Sequence, residues 1–252
     1  MTRIAVLHPG AMGAAVGAAL VGAGHEVGWL PEGRGRATAE RAAAAGLVPW
    51  QDLTGVELVV SLVPPAAALP AARELPGFDG LYLDANAIGP ARAAEVAALV
   101  HEAGATYIDG SVIGPPPAAA GTTRLYLSGA AATRTARVFA GSIVEPIVLE
   151  GGFSASAMKM GYASVTKIGD ALVLAAFELA QASGVDDALL QEWHRSQPAF
   201  AAQLAQARAH ATAKGWRWGD EMRQIAATLA EAGLPAGFGE AAAEIFDRYP
   251  RP

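Results

Sequence analysis

From Ile4 to Ile108, apolar runs of strand length alternate with alanine-rich stretches of helical spacing, and this alternation constrains the fold more than any other feature of the chain. The runs are Ile4-Ala5-Val6-Leu7, His25 to Leu30, Leu58 to Leu62, Leu81-Tyr82-Leu83-Asp84 and Thr106-Tyr107-Ile108. Between them lie Ala14 to Val21, Thr38 to Ala45 and Ala91 to Ala103, followed by Gly22, Gly46 and Gly104, the residue a helix C-terminus prefers. Strands and helices in this order form βαβ units, whose strands lie parallel. Two further strand candidates, Leu125 to Ser128 and Pro146 to Leu149, flank a polar helix from Ala131 to about Phe139, and strand signals stop at Gly151-Gly152. The pattern predicts an α/β chain with a parallel-sheet domain over residues 1–152 and an all-α domain over 153–252.

Composition excludes several function classes. With 52% hydrophobic and 17% charged residues in 252, the chain can bury a substantial core and is not a disordered polypeptide. A net charge of −6 without a basic run offers no footprint for nucleic acid. The absence of cysteine removes disulfides, thiolate nucleophiles and cysteine-based metal centres, and it suits a reducing cytoplasm; no motif on the chain adds a metal site to the expectations. The uncharged run Ile4 to Gly24 follows Arg3 as a signal peptide or membrane span would. His8-Pro9-Gly10 and the glycines at 13, 17, 22 and 24 interrupt it, however, and a buried strand with a close-packed helix explains it without a membrane.

Ser154 to Ser183 reads as one long helix, which would extend about 45 Å and is apolar around most of its circumference. A domain of this size cannot cover it on all sides. Leu172, Val173, Leu174 and Phe177 therefore predict a second copy packed along residues 154–183, making a homodimer.

The first strand ends in His8-Pro9-Gly10-Ala11-Met12-Gly13 and a helix follows at once, the strand–turn–helix context in which pyrophosphate sits on a helix N-terminus. The dinucleotide fingerprint asks for glycine at 8, 10 and 13. Gly10 and Gly13 keep the two positions for close backbone approach and helix packing, and His8 takes the first. This predicts a Rossmann-type domain with Pro9, Gly10, Ala11, Met12 and Gly13 at the cofactor. Beyond the second strand, Glu32 could accept the ribose hydroxyls of NAD, while Arg34, Arg36 and Thr38 could wrap the 2′-phosphate of NADP. The reading favours NADP with NAD possible. Solvated surface charge is the alternative for each arginine.

In order and spacing, Gly10-Ala11-Met12-Gly13, the strand end Val63-Pro64-Pro65, Asp84-Ala85-Asn86, the turn Asp109-Gly110-Ser111-Val112-Ile113-Gly114 and Lys159 in a long helix resemble the β-hydroxyacid dehydrogenase superfamily. That group includes 6-phosphogluconate and 3-hydroxyisobutyrate dehydrogenases and imine reductases. The run Ala157 to Ala163 resembles a phosphogluconate-dehydrogenase-like branch whose C-terminal domain has no assigned function. The resemblance implies an NAD(P)-dependent oxidoreductase acting on a small-molecule substrate. It places Val63, Pro64 and Asn86 at the cofactor, Ser111, Val112, Ile113, Gly114, Tyr162 and Ala163 at the substrate, and Lys159 as general acid and base. An ammonium suits that task because reduction of a carbonyl leaves an alkoxide to be protonated. Lys167, two turns on, is the alternative donor.

Departures from the family pattern bear on substrate. Ser111, Ile113 and Pro115 fall where the family has proline, serine and glycine, and Ala163 replaces an asparagine. Asp220 and Glu221 fall where the family has lysine and aspartate. A 3-hydroxy acid is thus disfavoured. Trp193, His194, Trp216 and Trp218 are available to a more apolar, aromatic pocket or to the core. Imine reduction on the same scaffold, or a non-catalytic NADP-binding sensor, are the alternative functions.

Overall fold

The computed structural model describes residues 1–75 and 77–251. By their internal contacts these divide into two compact units, 1–159 and 160–252.

In the first unit, β1 (Arg3–Val6), α1 (Ala11–Gly22), β2 (Glu26–Trp29), α2 (Arg36–Ala44), β3 (Val48–Pro49), β4 (Leu58–Ser61), α3 (Ala68–Ala72), β5 (Leu81–Asp84), α4 (Pro90–Glu102), β6 (Thr106–Ile113), β7 (Thr123–Ser128), α5 (Ala132–Val138) and β8 (Val144–Val148) follow in order. The described strands form one sheet ordered β3-β2-β1-β4-β5-β6-β7-β8. Every neighbouring pair is parallel except β6 and β7. This is the Rossmann-type domain the alternation predicts. The central strands read as unbroken apolar runs because both faces are covered. Ile4, Val6, Val60 and Leu83 face the core that holds Leu20 of α1 and Phe139, while Ala5, Leu7, Val59 and Tyr82 face the core under α3 and α4.

Two expectations are corrected. Residues 109–113 do not turn: Thr106–Ile113 is a single strand paired antiparallel with β7, its residues from 107 to 113 are buried, and the chain bends only at Gly114. Its polar residues read as a turn in sequence, yet each finds a partner across the sheet or from the following helix. The expected continuous helix from Ser154 to Ser183 is helical throughout but changes winding. α6 (Ser154–Ala163) and α7 (Gly169–Ala182) are joined by a wider π turn over Ser164–Ile168. There Ser164 Oγ donates to the Met160 carbonyl at 2.7 Å and Thr166 Oγ1 to the Tyr162 carbonyl at 3.2 Å, hydroxyl bonds that compete with regular helical pairing.

The second unit adds α8 (Asp186–Ser196), α9 (Pro198–Glu231) and α10 (Gly237–Phe246). Its core gathers Met160, Phe177, Leu204, Met222, Ile225 and Phe246. Of the four side chains expected to need a second copy, Val173, Leu174 and Phe177 are buried within the single chain, and only Leu172 is left open at 67% exposure. Among the described residues, no helix is long and apolar enough to cross a membrane.

Candidate cofactor and catalytic site

β1 ends at Val6 and α1 begins at Ala11, so residues 7–10 form the turn between them. The Gly10 amide donates to the His8 carbonyl at 2.7 Å, and no side chain caps α1. The first N–H groups of that helix, including those of Ala11 and Met12, are the kind that receive an anion. A Cβ on Gly10 would meet nothing within 4 Å, so the space beside it is open and glycine keeps it so. A Cβ on Gly13 would lie 2.5 Å from the His8 carbonyl oxygen, so only glycine lets α1 pack against the turn. Arg41 joins Pro9 to Thr38: its Nε donates to the Pro9 carbonyl at 3.2 Å and its Nη2 to Thr38 Oγ1 at 3.1 Å.

Arg34 and Arg36 part company. Arg34 Nη2 donates to Glu74 Oε2 at 2.5 Å, and the other oxygen of that carboxylate lies 3.6 Å from His8 Nε2. Burial, followed by the nearby Arg34 charge and opposed by Glu74, holds the His8 imidazole below its ordinary pKa. Arg36 is instead 92% exposed and paired with Glu40 one helical turn on, the surface arrangement that was its alternative. Glu32 is exposed. Leu30, Pro31, Arg34, Trp50, Leu53 and Glu74 border a hollow of about 880 Å³.

Asn86 lies just beyond β5, 2% exposed, with both ends of its amide bonded: Oδ1 accepts from the Val63 amide at 2.6 Å and Nδ2 donates to Ser61 Oγ at 3.2 Å. It shapes the Val63-Pro64 loop rather than reaching outward, while Pro64 is exposed. Asp84 accepts from the Asn86 amide and from the Tyr107 hydroxyl, and burial pushes its carboxyl up to about 7.

Lys159 extends from α6 to the main chain of β6, where Nζ donates to the Val112 carbonyl at 2.8 Å. The start of its helix is tied to β6 and β7. Asp109 accepts from Ser156 Oγ at 2.5 Å, from the Ser156 amide at 3.0 Å and from Ser128 Oγ at 2.7 Å. Ser128 Oγ accepts in turn from the Ala155 amide, and Ser111 Oγ donates to the Ala155 carbonyl at 2.8 Å. A carboxylate at a helix N-terminus is favourable in itself. Burial raises the Asp109 carboxyl, with the serine bonds opposing it. Ser111, Val112 and Ile113 are thus buried parts of this joint, and Gly114 beyond them is exposed.

The remaining candidates belong to the second unit. Tyr162 is 48% exposed and Ala163 buried. Lys167 pairs with Glu221 and lies 4.9 Å from the Trp218 ring, so the alternative donor is committed to that unit. Trp218 packs edge-on against Phe246 in the core, Trp193 lies against Phe200, Trp216 lies under the Arg251 guanidinium, and His194 is exposed. Sequence reasoning missed Arg41, Glu74, Ser128 and Ser156, and it quoted Asp109 in a motif without giving it a role. Arg41 alone had a local signal, one helical turn after Thr38.

Fold and turn together define a Rossmann-type α/β chain with a helical C-terminal unit. Residues 180–249 match the family model described as a domain of unknown function, DUF1932. No curated protein matches the chain. A solved protein of unknown function, MTH1747, described as structurally similar to 3-hydroxyacid dehydrogenases, is 26% identical, with a TM-score of 0.73 over 98% of this chain and 96% of its own. The 3-hydroxyisobutyrate dehydrogenase of Mycobacterium tuberculosis, solved with L-serine, is 25% identical, with a TM-score of 0.71 over 98% and 92%. A reductive aminase from Aspergillus terreus, solved with NADPH and ethyl levulinate, shares the fold at 19% identity, with a TM-score of 0.62 over 98% and 93%. The chain shares the fold of these hydroxyacid dehydrogenase-like proteins, and its C-terminal region matches a domain of unknown function, as the sequence resemblance implied.

Proposed function

We propose that the protein is a nicotinamide-dependent oxidoreductase, preferring NADP over NAD, that interconverts a carbonyl and a hydroxy compound with Lys159 as general acid and base. The observation that carries this is the Lys159 ammonium held at a strand carbonyl by an anchored helix, in a domain whose first turn fits a dinucleotide. That fit rests on the open space beside Gly10, the uncapped start of α1, and two buried nitrogens without a protein partner, His8 Nδ1 and Arg34 Nε. Solved neighbours were captured with NADPH and with NAD⁺, which supports the cofactor class.

When bound, the nicotinamide supplies or accepts the hydride. Residues Pro9 to Gly13 would receive the pyrophosphate, Arg34 the 2′-phosphate, and the loop shaped by Asn86 would border the cofactor at Val63 and Pro64. Lys159 gives its proton to the alkoxide oxygen during reduction and takes it back during oxidation. Consumption of NADPH and NADH with a panel of aldehydes, ketones and matched imines tests the reading. Carbonyl-dependent oxidation is expected. Turnover of imines alone would move the function to imine reduction, and nucleotide binding without turnover of any compound would make the protein a sensor.

The same reading includes a homodimer through residues 154–183. Its support is narrower than the sequence suggested, resting on Leu172 and Leu179, 67% and 70% exposed, which line an apolar groove with Phe238. Light scattering at micromolar concentration is expected to give the mass of two chains; a one-chain mass would refute the dimer.

A further inference from the structure

The strands β2, β1 and β4 are neighbours in the sheet, so the segments leaving their carboxyl ends gather along one edge, where open α/β sheets bind ligands. His8 leaves β1, Arg34 lies beyond β2, and Glu74 lies beyond α3 in the segment from β4 to β5. The Arg34–Glu74 pair therefore joins the segments on either side of the dinucleotide turn, with His8 beneath its second carboxylate oxygen. Within this cluster Arg34 Nε and His8 Nδ1 are sealed from solvent and bonded to nothing. Such atoms are costly to leave unmet, so a closed cluster of this kind is ready to exchange its internal pair for a ligand that satisfies them.

We propose that Glu74 sets the choice between a 2′-phosphorylated and an unphosphorylated dinucleotide, by competing with the 2′-phosphate for Arg34. The proposal rests on the nicotinamide reading above. A phosphate monoester reaching the Arg34 guanidinium meets the Glu74 carboxylate already there, and two anions at one short distance repel. A ribose hydroxyl meets no such opposition, because it can donate to that carboxylate. Glu74 thus holds the preference for NADP below what Arg34 alone would give, and a 2′-phosphate gains Arg34 only when the Arg34–Glu74 pair opens. His8, bulkier than the glycine of the fingerprint, supports the closed form from below.

The test is calorimetric titration with NADP⁺ and NAD⁺ at fixed salt, on wild type, Glu74→Gln, Arg34→Ala and the double variant. Glu74 is at the surface, with its side chain 38% exposed, and glutamine keeps its shape. Glu74→Gln is expected to raise the ratio of NADP⁺ to NAD⁺ affinity about tenfold, the scale of one charge-assisted bond. Arg34→Ala is expected to erase that gain in the double variant. An unchanged or lowered ratio in a protein that binds both nucleotides would overturn the role of Glu74 and leave the nicotinamide reading standing. Failure of wild type and Glu74→Gln alike to bind either nucleotide would overturn both.

Discussion

Replacing Lys159 with alanine is expected to lower turnover about 10²- to 10⁴-fold while leaving nucleotide affinity within a factor of a few, because in the proposed reaction the group removed acts on the substrate oxygen. The measurement pairs steady-state rates, on whichever carbonyl compound supports nucleotide oxidation, with direct titration of the nucleotide. Affinity lost in proportion to rate would mean that Lys159 holds the cofactor or the helix instead. Lys167→Ala provides the contrast. Its ammonium is engaged by Glu221 and the Trp218 ring, so its removal should lower stability and change the rate little. Loss of turnover in Lys167→Ala with Lys159→Ala unaffected would transfer the catalytic role two turns along.

The second large effect is expected at Asp109. Truncation to alanine strands two donors, the Ser156 amide and Ser156 Oγ, in a buried place and leaves Ser128 Oγ only the Gly152 carbonyl at 3.3 Å, at a cost of roughly 3–5 kcal/mol. Thermal unfolding should fall on the order of 10 °C. A shift within experimental scatter would mean that water or backbone movement replaces the carboxylate. Asp84 faces Asp109 across β5 and β6, and its behaviour with pH has a definite sign. Its carboxyl ionises near 3.8 in the unfolded chain and near 7 in the folded one, so its contribution is whole below about pH 4 and lost as pH rises through 7. Stability should decline over that window by as much as about 4 kcal/mol, and Asp84→Asn should flatten the decline. Denaturant melts between pH 4 and 8 check it; an equally steep decline in the variant would place the titration elsewhere.

Much of this fold was legible because its strands are apolar on both faces and its helices end in glycine. β3 escaped notice because it is two residues long and includes proline at an edge. The misreading of residues 109–114 as a turn has a different cause. Asp109, Gly110 and Ser111 suit turns by local preference, and only tertiary pairing with β7 and α6 makes them strand. At the site, Gly10, Gly13 and Lys159 were legible from motif and resemblance. The division between Arg34 and Arg36 was not, since two arginines on one loop differ only in which meets the distant Glu74. The π turn was hidden for a related reason: Ser164 and Thr166 are tolerated in a helix, and nothing local says that their hydroxyls will bond back to the preceding turn.

Lys159 is held in place by a peptide carbonyl, and this has a consequence for how such a protein can change over generations. Val112 presents the same oxygen whatever side chain it carries, so exchanges at that position leave the ammonium where it is, short of those that distort the strand. The serines and aspartate that anchor the helix are themselves buried. A lineage can therefore exchange the side chains around Lys159, one at a time, while the address of its ammonium is kept by the backbone.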